Sequence, residues 1–88
     1  MNIVYTNQFK RDYRRLTKQN KDVKALRGVI EKLAKGEQLP AKHQDHKLGG
    51  QWKKHRDCHI TPDWLLIYRI KAKNLILERT GSHSELFK

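Results

Sequence analysis

The chain has 88 residues and carries 20 Lys and Arg against 9 Asp and Glu, a formal net charge of +11. That length admits one domain with one thin core, burying roughly 60–65% of the unfolded surface, and excludes a large cofactor pocket. The single cysteine, Cys58, excludes an internal disulfide, and no apolar run nears the roughly 20 residues that cross a bilayer, so a soluble, cytoplasmic protein is expected.

The elements are expected in the following order. Ile3-Val4-Tyr5 is a short strand, and Thr6 or Asn7 caps a helix after it. Phe9, Tyr13 and Leu16 give that helix one apolar stripe among basic residues. A second helix starts near Asp22, with Val23, Leu26, Ile30 and Leu33 on one face. Gly36 ends it and Pro40 blocks its continuation, while Gly28 inside it costs about 1 kcal/mol relative to Ala. Residues 36–51 have no periodicity, which is long for a loop in a small domain and points to function. Three strands follow, over Trp52–Ile60, Trp64–Ile70 and Asn74–Thr80, joined by turns at Thr61-Pro62-Asp63 and Lys71-Ala72-Lys73-Asn74. The short connections make them antiparallel neighbours, and the apolar run Trp64-Leu65-Leu66-Ile67-Tyr68 marks the middle one as central. The order β-α-α-β-β-β predicts a single α+β domain over 1–88, with both helices on one face of a four-stranded, mostly antiparallel sheet. Trp52, Trp64 and Tyr68 are expected in its core.

The excess charge is +7 over residues 1–44 and +4 over residues 45–88, so the basic character is spread over a face and not confined to a tail. A polyanion, first of all nucleic acid, is the expected partner. Lys10, Arg11, Arg14, Arg15 and Lys18 on the first helix suit phosphate contacts, which give affinity without sequence choice.

Four residues stand out as proton-transfer candidates: His46, His59, Asp63 and His83. Histidine titrates nearest neutrality. Such groups on a phosphate-binding surface suit RNA cleavage, in which the 2′-hydroxyl is the nucleophile. If the strand from Trp52 is regular, Lys53, His55, Asp57 and His59 share one face, with Cys58 and Ile60 on the other. Asp63 lies just past the next turn. His83 follows Gly81, which permits a sharp turn, and His46 sits in the long loop. Phe87 either anchors the tail or stacks on a base. No metal site is expected: His43 and His46 form the only close pair with loop flexibility, and there is no paired Cys motif. No Gly-x-Ser-x-Gly elbow or phosphate-cradling Gly loop is present. On the residues alone, a nuclease competes with a basic RNA- or ribosome-binding module that never cuts.

Three stretches decide for the enzyme. Asp45-His46-x-Leu48-x-Gly50-x-Trp52-Lys53, Arg56-Asp57-x-His59-Ile60-x-Pro62-Asp63-Trp64-x-Leu66-Ile67-Tyr68 and Glu78-Arg79-Thr80-Gly81-Ser82-His83-Ser84-Glu85-Leu86-Phe87 resemble the YafQ branch of the RelE-type bacterial toxins. The likeness is dense over residues 45–87. Over 1–44 it is a shared pattern of a strand and two basic helices. It implies a RelE-like fold with a short C-terminal helical turn, and a toxin of a type II toxin–antitoxin module that cuts mRNA in the A site of the 70S ribosome. It implies catalytic roles for His46, His59, Asp63 and His83, a substrate contact at Phe87, and basic positions for the scissile phosphate at Arg56 and Arg79. Asp57 matches a further acid of the pattern, and Lys53 adds a cation. The implied partner is an acidic antitoxin with a segment that folds on binding, the free toxin being monomeric and the neutralised form hetero-oligomeric. The expected reaction needs no cofactor. It is attack by the 2′-OH on the adjacent phosphorus, giving a 2′,3′-cyclic phosphate and a 5′-hydroxyl. His83 is the expected acid, His59 or His46 the base, and Asp63 the partner of a histidine.

Overall fold

The computed structural model describes residues 1–87. Strand β1 (Asn2–Tyr5) enters helix α1 (Asn7–Lys18), where the Thr6 hydroxyl accepts the Phe9 N–H at 3.1 Å and donates to the Leu77 carbonyl at 2.9 Å. One side chain thus starts the helix and ties it to a distant strand. The buried stripe of α1 is Phe9, Asp12 and Leu16, with Tyr13 half-buried at its edge. Helix α2 (Val23–Ala34) is capped by Asp22 and buries Leu26, Val29, Ile30 and Leu33. Its expected end is borne out: Gly36, at φ +76°, takes the left-handed position just beyond the helix.

The aperiodic segment is structured. It holds a 3₁₀ turn at Ala41–His43, a two-residue strand β2 (His46–Lys47) and a second 3₁₀ turn at Gly50–Trp52. Strand β3 (Arg56–Thr61) therefore begins four residues later than expected, because that turn and the positive φ of Lys54 (+74°) prevent extended backbone before Arg56. Lys53 and His55 do not belong to the strand face assigned to them. Strands β4 (Trp64–Lys71) and β5 (Asn74–Gly81) follow, each joined to its predecessor by a two-residue hairpin, and helix α3 (His83–Leu86) closes the described chain.

The sheet has five strands in the order β1-β5-β4-β3-β2, all antiparallel except the β1–β5 pair. The expected four-stranded sheet lacked β2, which is too short and too exposed to leave an alternating pattern. Helices α1 and α2 cover one face over Cys58, Trp64, Leu66, Tyr68, Leu75 and Leu77. Burial pushes the Cys58 thiol up to about 12, so it stays protonated and unreactive. The opposite face carries a smaller cluster of Leu65, Ile67 and Leu86, with Leu48 and Trp52 packed against it. Trp52 is thus half-buried on this second face and not in the main core. A bulge at Glu78 breaks the β4–β5 register, with Ile67 opposite Arg79 and Tyr68 opposite Leu77. Bulges of this kind re-aim side chains at the end of a strand.

Candidate active site

His46, His59 and His83 meet at the strand ends nearest α3. His46 in β2 stands directly opposite Asp57 in β3. The His46 Nδ1–H donates to the Gln44 carbonyl at 2.7 Å, which turns Nε2 towards the Asp57 carboxylate, 3.0 Å away. Gln44 itself has a positive φ (+48°) and delivers that carbonyl. Asp57 is buried, and its Oδ1 has no aligned hydrogen bond among the described residues. Burial raises its carboxyl above the ordinary range, and the nearby imidazoles of His46, His59 and His83 only partly offset this. A carboxylate and an imidazole this close share a proton readily.

His59, two residues along β3, presents Nδ1 to the Pro62 carbonyl at 3.2 Å. A carbonyl only accepts, so Nδ1 carries the hydrogen and Nε2 of the neutral ring keeps the lone pair. That tautomer is the one a general base needs. His43, unassigned in the sequence, is buried and its Nδ1 contacts the His59 carbonyl at 2.6 Å, fixing β3 at that residue.

His83 is the first residue of α3, and a capping box sets its position. Ser82 Oγ accepts the Glu85 N–H at 3.2 Å, and Glu85 Oε1 accepts the Ser82 N–H at 2.8 Å. The His83 ring lies 5.8 Å from that of His59, centroid to centroid, and its Nδ1 lies 3.9 Å from Asp63 Oδ1. Asp63 is in the β3–β4 turn and largely solvated. Phe87, just past α3, stacks in tilted fashion on His83 with centroids 6.0 Å apart. The structure thus brings His46, Asp57, His59, Asp63, His83 and Phe87 together.

The arginines are engaged elsewhere. Arg56 Nε donates to Asp45 at 2.9 Å, and Asp45 also accepts the Tyr68 hydroxyl. Arg79 holds Asp12 through Nε and Nη2, at 2.7 and 3.2 Å. Arg15, expected on the open basic face, turns inward to Asp12, the Thr80 carbonyl and Glu85. Lys10, Arg11, Arg14 and Lys18 remain exposed. Lys53 is exposed, and among the described residues its side chain has no hydrogen bond or ion pair to the site. Asp12 went unrecognised because an acid between apolar stripe positions reads as solvated; only its spacing between Phe9 and Leu16 could have marked it. Among the described residues, no three His, Cys, Asp or Glu side chains are arranged to hold a metal ion. No helix among them is long and apolar enough to cross a membrane.

A model of the family described as bacterial toxin of type II toxin-antitoxin system, YafQ, matches residues 1–88. The chain is 42% identical over 86 residues to the mRNA interferase toxin YafQ of Escherichia coli strain K12, covering 97% of this chain and 94% of that one. Its backbone superimposes on a copper-bound mutant toxin from Helicobacter pylori with a TM-score of 0.95, at 44% identity over 99% of both chains. It matches a chain of the Escherichia coli DinJ–YafQ complex with a TM-score of 0.92, at 41% identity over 99% of this chain and 98% of that one. With site, fold and full-length similarity in agreement, the chain belongs to the YafQ family of bacterial toxins of type II toxin–antitoxin systems.

Proposed function

We propose that this chain, one toxin domain over residues 1–88, is a ribosome-dependent endoribonuclease that cuts mRNA in the A site and so stops translation. The observation that carries this reading is the His59–His83 pair. Two imidazoles side by side, with centroids 5.8 Å apart, can both reach the reacting oxygens of one phosphodiester lying across their edges. His59 Nε2 takes the proton of the 2′-OH, which attacks the adjacent phosphorus in line. The P–O5′ bond breaks and His83 Nε2–H protonates the leaving oxygen. The products are a 2′,3′-cyclic phosphate and a 5′-hydroxyl. Asp63, with Oδ1 3.9 Å from His83 Nδ1, stands on the side of the ring away from Nε2 and helps to orient it. The His46–Asp57 pair, 3.0 Å apart and next to His59 on the same strands, supplies a second carboxyl–imidazole contact at the site. Arg56 engages Asp45 through Nε, and Arg79 engages Asp12 through Nε and Nη2, so a phosphate would meet only the N–H groups these pairs leave over, Nη1 in the case of Arg79. The reaction uses an internal nucleophile and requires no metal-activated water.

The exposed Lys10, Arg11, Arg14 and Lys18 suit ribosomal RNA, which would align a strand this small site cannot hold alone. A relative crystallised in a toxin–antitoxin complex supports an antitoxin as the second partner, and the net charge of +11 favours an acidic one. The test is cleavage on programmed 70S ribosomes by toxin stripped of metal ions with a chelator. Wild-type protein should cut within the A-site codon, and His83→Ala should lose about 10²–10⁴-fold in rate. A 2′-deoxy substitution at the scissile nucleotide should abolish the cut. Cleavage of the deoxy substrate, or undiminished cutting by His83→Ala, defeats the mechanism. Translational arrest by His83→Ala without cutting would favour the non-catalytic ribosome-binding module.

A further inference from the structure

We infer that Trp52 is a positioning residue for the reaction: its indole holds Phe87 against His83, and His55 and Glu78 hold the indole. Five rings run in a row across the second face of the sheet. The His55 and Trp52 centroids are 5.2 Å apart at 85°, Trp52 and Phe87 6.4 Å apart at 76°, Phe87 and His83 6.0 Å apart, and His83 and His59 5.8 Å apart. The first two contacts are edge-to-face, the arrangement aromatic quadrupoles favour. The indole is therefore gripped from two sides while its body packs on Leu65, Ile67 and Leu86.

Phe87 needs such a support. Helix α3 has four residues, too few to be rigid alone, and Phe87 follows its last turn with one backbone hydrogen bond, to the His83 carbonyl at 2.8 Å. Phe87 is 36% exposed as a residue, so it is the least buried apolar member of this row and is accessible to a nucleobase.

Trp52 is in turn fixed from behind. The His55 ring contacts Glu78 Oε2 through Nε2 and the Lys53 carbonyl through Nδ1, each at 3.2 Å. Both partners accept, so whichever ring nitrogen carries hydrogen is anchored. Glu78 is the bulged residue of β5 and is free of the strand ladder to reach His55. The Trp52 Nε1–H, by contrast, is buried with no acceptor among the described residues. An orphaned buried donor is unfavourable, so the position is served by the area and shape of the ring and not by its polar atom.

This assignment rests on the nuclease reading proposed above. The test is single-turnover cleavage on programmed ribosomes at saturating toxin, with Trp52→Leu, Trp52→Phe, Phe87→Leu and the double variant Trp52→Leu/Phe87→Leu. Trp52→Leu should slow the cleavage step by about 10- to 100-fold, as a misplaced contact does. Trp52→Phe, which keeps a ring, should restore most of that rate. The double variant should be no slower than Phe87→Leu alone, because both changes remove one contact. Losses that multiply, or Trp52→Leu cutting as fast as wild type, would overturn the inference while leaving the nuclease intact. Wild-type protein that never cuts defeats the nuclease reading and this inference with it. Should Trp52→Leu fail to fold by circular dichroism, Trp52→Phe with Phe87→Leu supplies the same comparison. A slower Trp52→Phe that loses its effect in the Phe87→Leu background supports the link, and an independent effect removes it.

Discussion

Asp12 and Asp57 are both 3% exposed, yet the fold treats these two carboxylates in opposite ways. Burial alone would raise both. At Asp12 it is outweighed by hydrogen bonds from Arg79, Arg15 and the Thr80 N–H, which hold that carboxyl below the ordinary carboxylate range. At Asp57 the neighbours are imidazoles, whose charge is conditional, and burial wins. A carboxylate saturated by permanent cations is a structural rivet. One left among titratable rings is available for chemistry. The two lie at opposite ends of one functional unit, since the Asp12 network runs through Arg15 to Glu85 and so to the cap that places His83.

The sharpest way to break the comparison is to remove each acid. Asp12→Ala leaves two guanidinium groups without their shared partner and should cost about 3–5 kcal/mol, read as a lowered denaturation midpoint. Asp57→Asn should cost less than about 1 kcal/mol and slow cleavage at least about tenfold. Equal stability losses at the two sites would erase the distinction.

Gly81 sharpens it further. It has φ +155°, and an added Cβ would stand 2.7 Å from Arg15 Nη2 and 2.8 Å from Glu85 Oε1. Gly81→Ala should cost about 1–3 kcal/mol and reduce cleavage by displacing the cap of α3. An Ala variant with unchanged stability and rate would show that this junction does not position His83.

Titration gives a smaller effect of opposite sign at the two acids. Asp12, lowered in the fold, contributes stability that is present above the ordinary carboxylate value and lost as pH falls through its folded one. Asp57, raised in the fold, makes the opposite contribution: stability falls as pH rises from the ordinary value through its folded one. Asp57→Asn should therefore flatten the loss of stability on the alkaline side of that window, and Asp12→Asn the loss on its acid side. Denaturant midpoints from pH 3 to 7 would show a reversed or absent pattern if either assignment is wrong. The smallest effect belongs to Gly28, exposed on α2 with open space where a Cβ would go. Gly28→Ala should stabilise by about 0.5–1 kcal/mol without altering cleavage.

The helices and central strands were legible because they repeat: Leu26, Ile30 and Leu33 at helical spacing, and Trp64 to Tyr68 apolar on both faces of a covered strand. Strand β2 was not, since two exposed residues carry no period and are defined only by pairing with Arg56 and Asp57. The late start of β3 hid behind a run that alternates acceptably as a strand; the positive φ of Lys54 is a tertiary outcome, not a residue preference. At the site, the residue types and motifs named His46, His59, Asp63, His83 and Phe87. Their pairings, His46 on Asp57 and His59 across from His83, depend on strand register and on where the cap sets α3. Asp12 and the inward turn of Arg15 were invisible, because a buried ion network looks in sequence like a solvated helix face.

The measurement that bears most directly on the central claim uses mRNA with a sulfur in place of the bridging 5′-oxygen at the scissile bond, cut on programmed ribosomes. Sulfur leaves without needing a proton, so the account predicts that this substrate restores cleavage to His83→Ala but not to His59→Ala. Rescue of His59→Ala instead, or of neither variant, would contradict the assignment of His83 as the acid and His59 as the base.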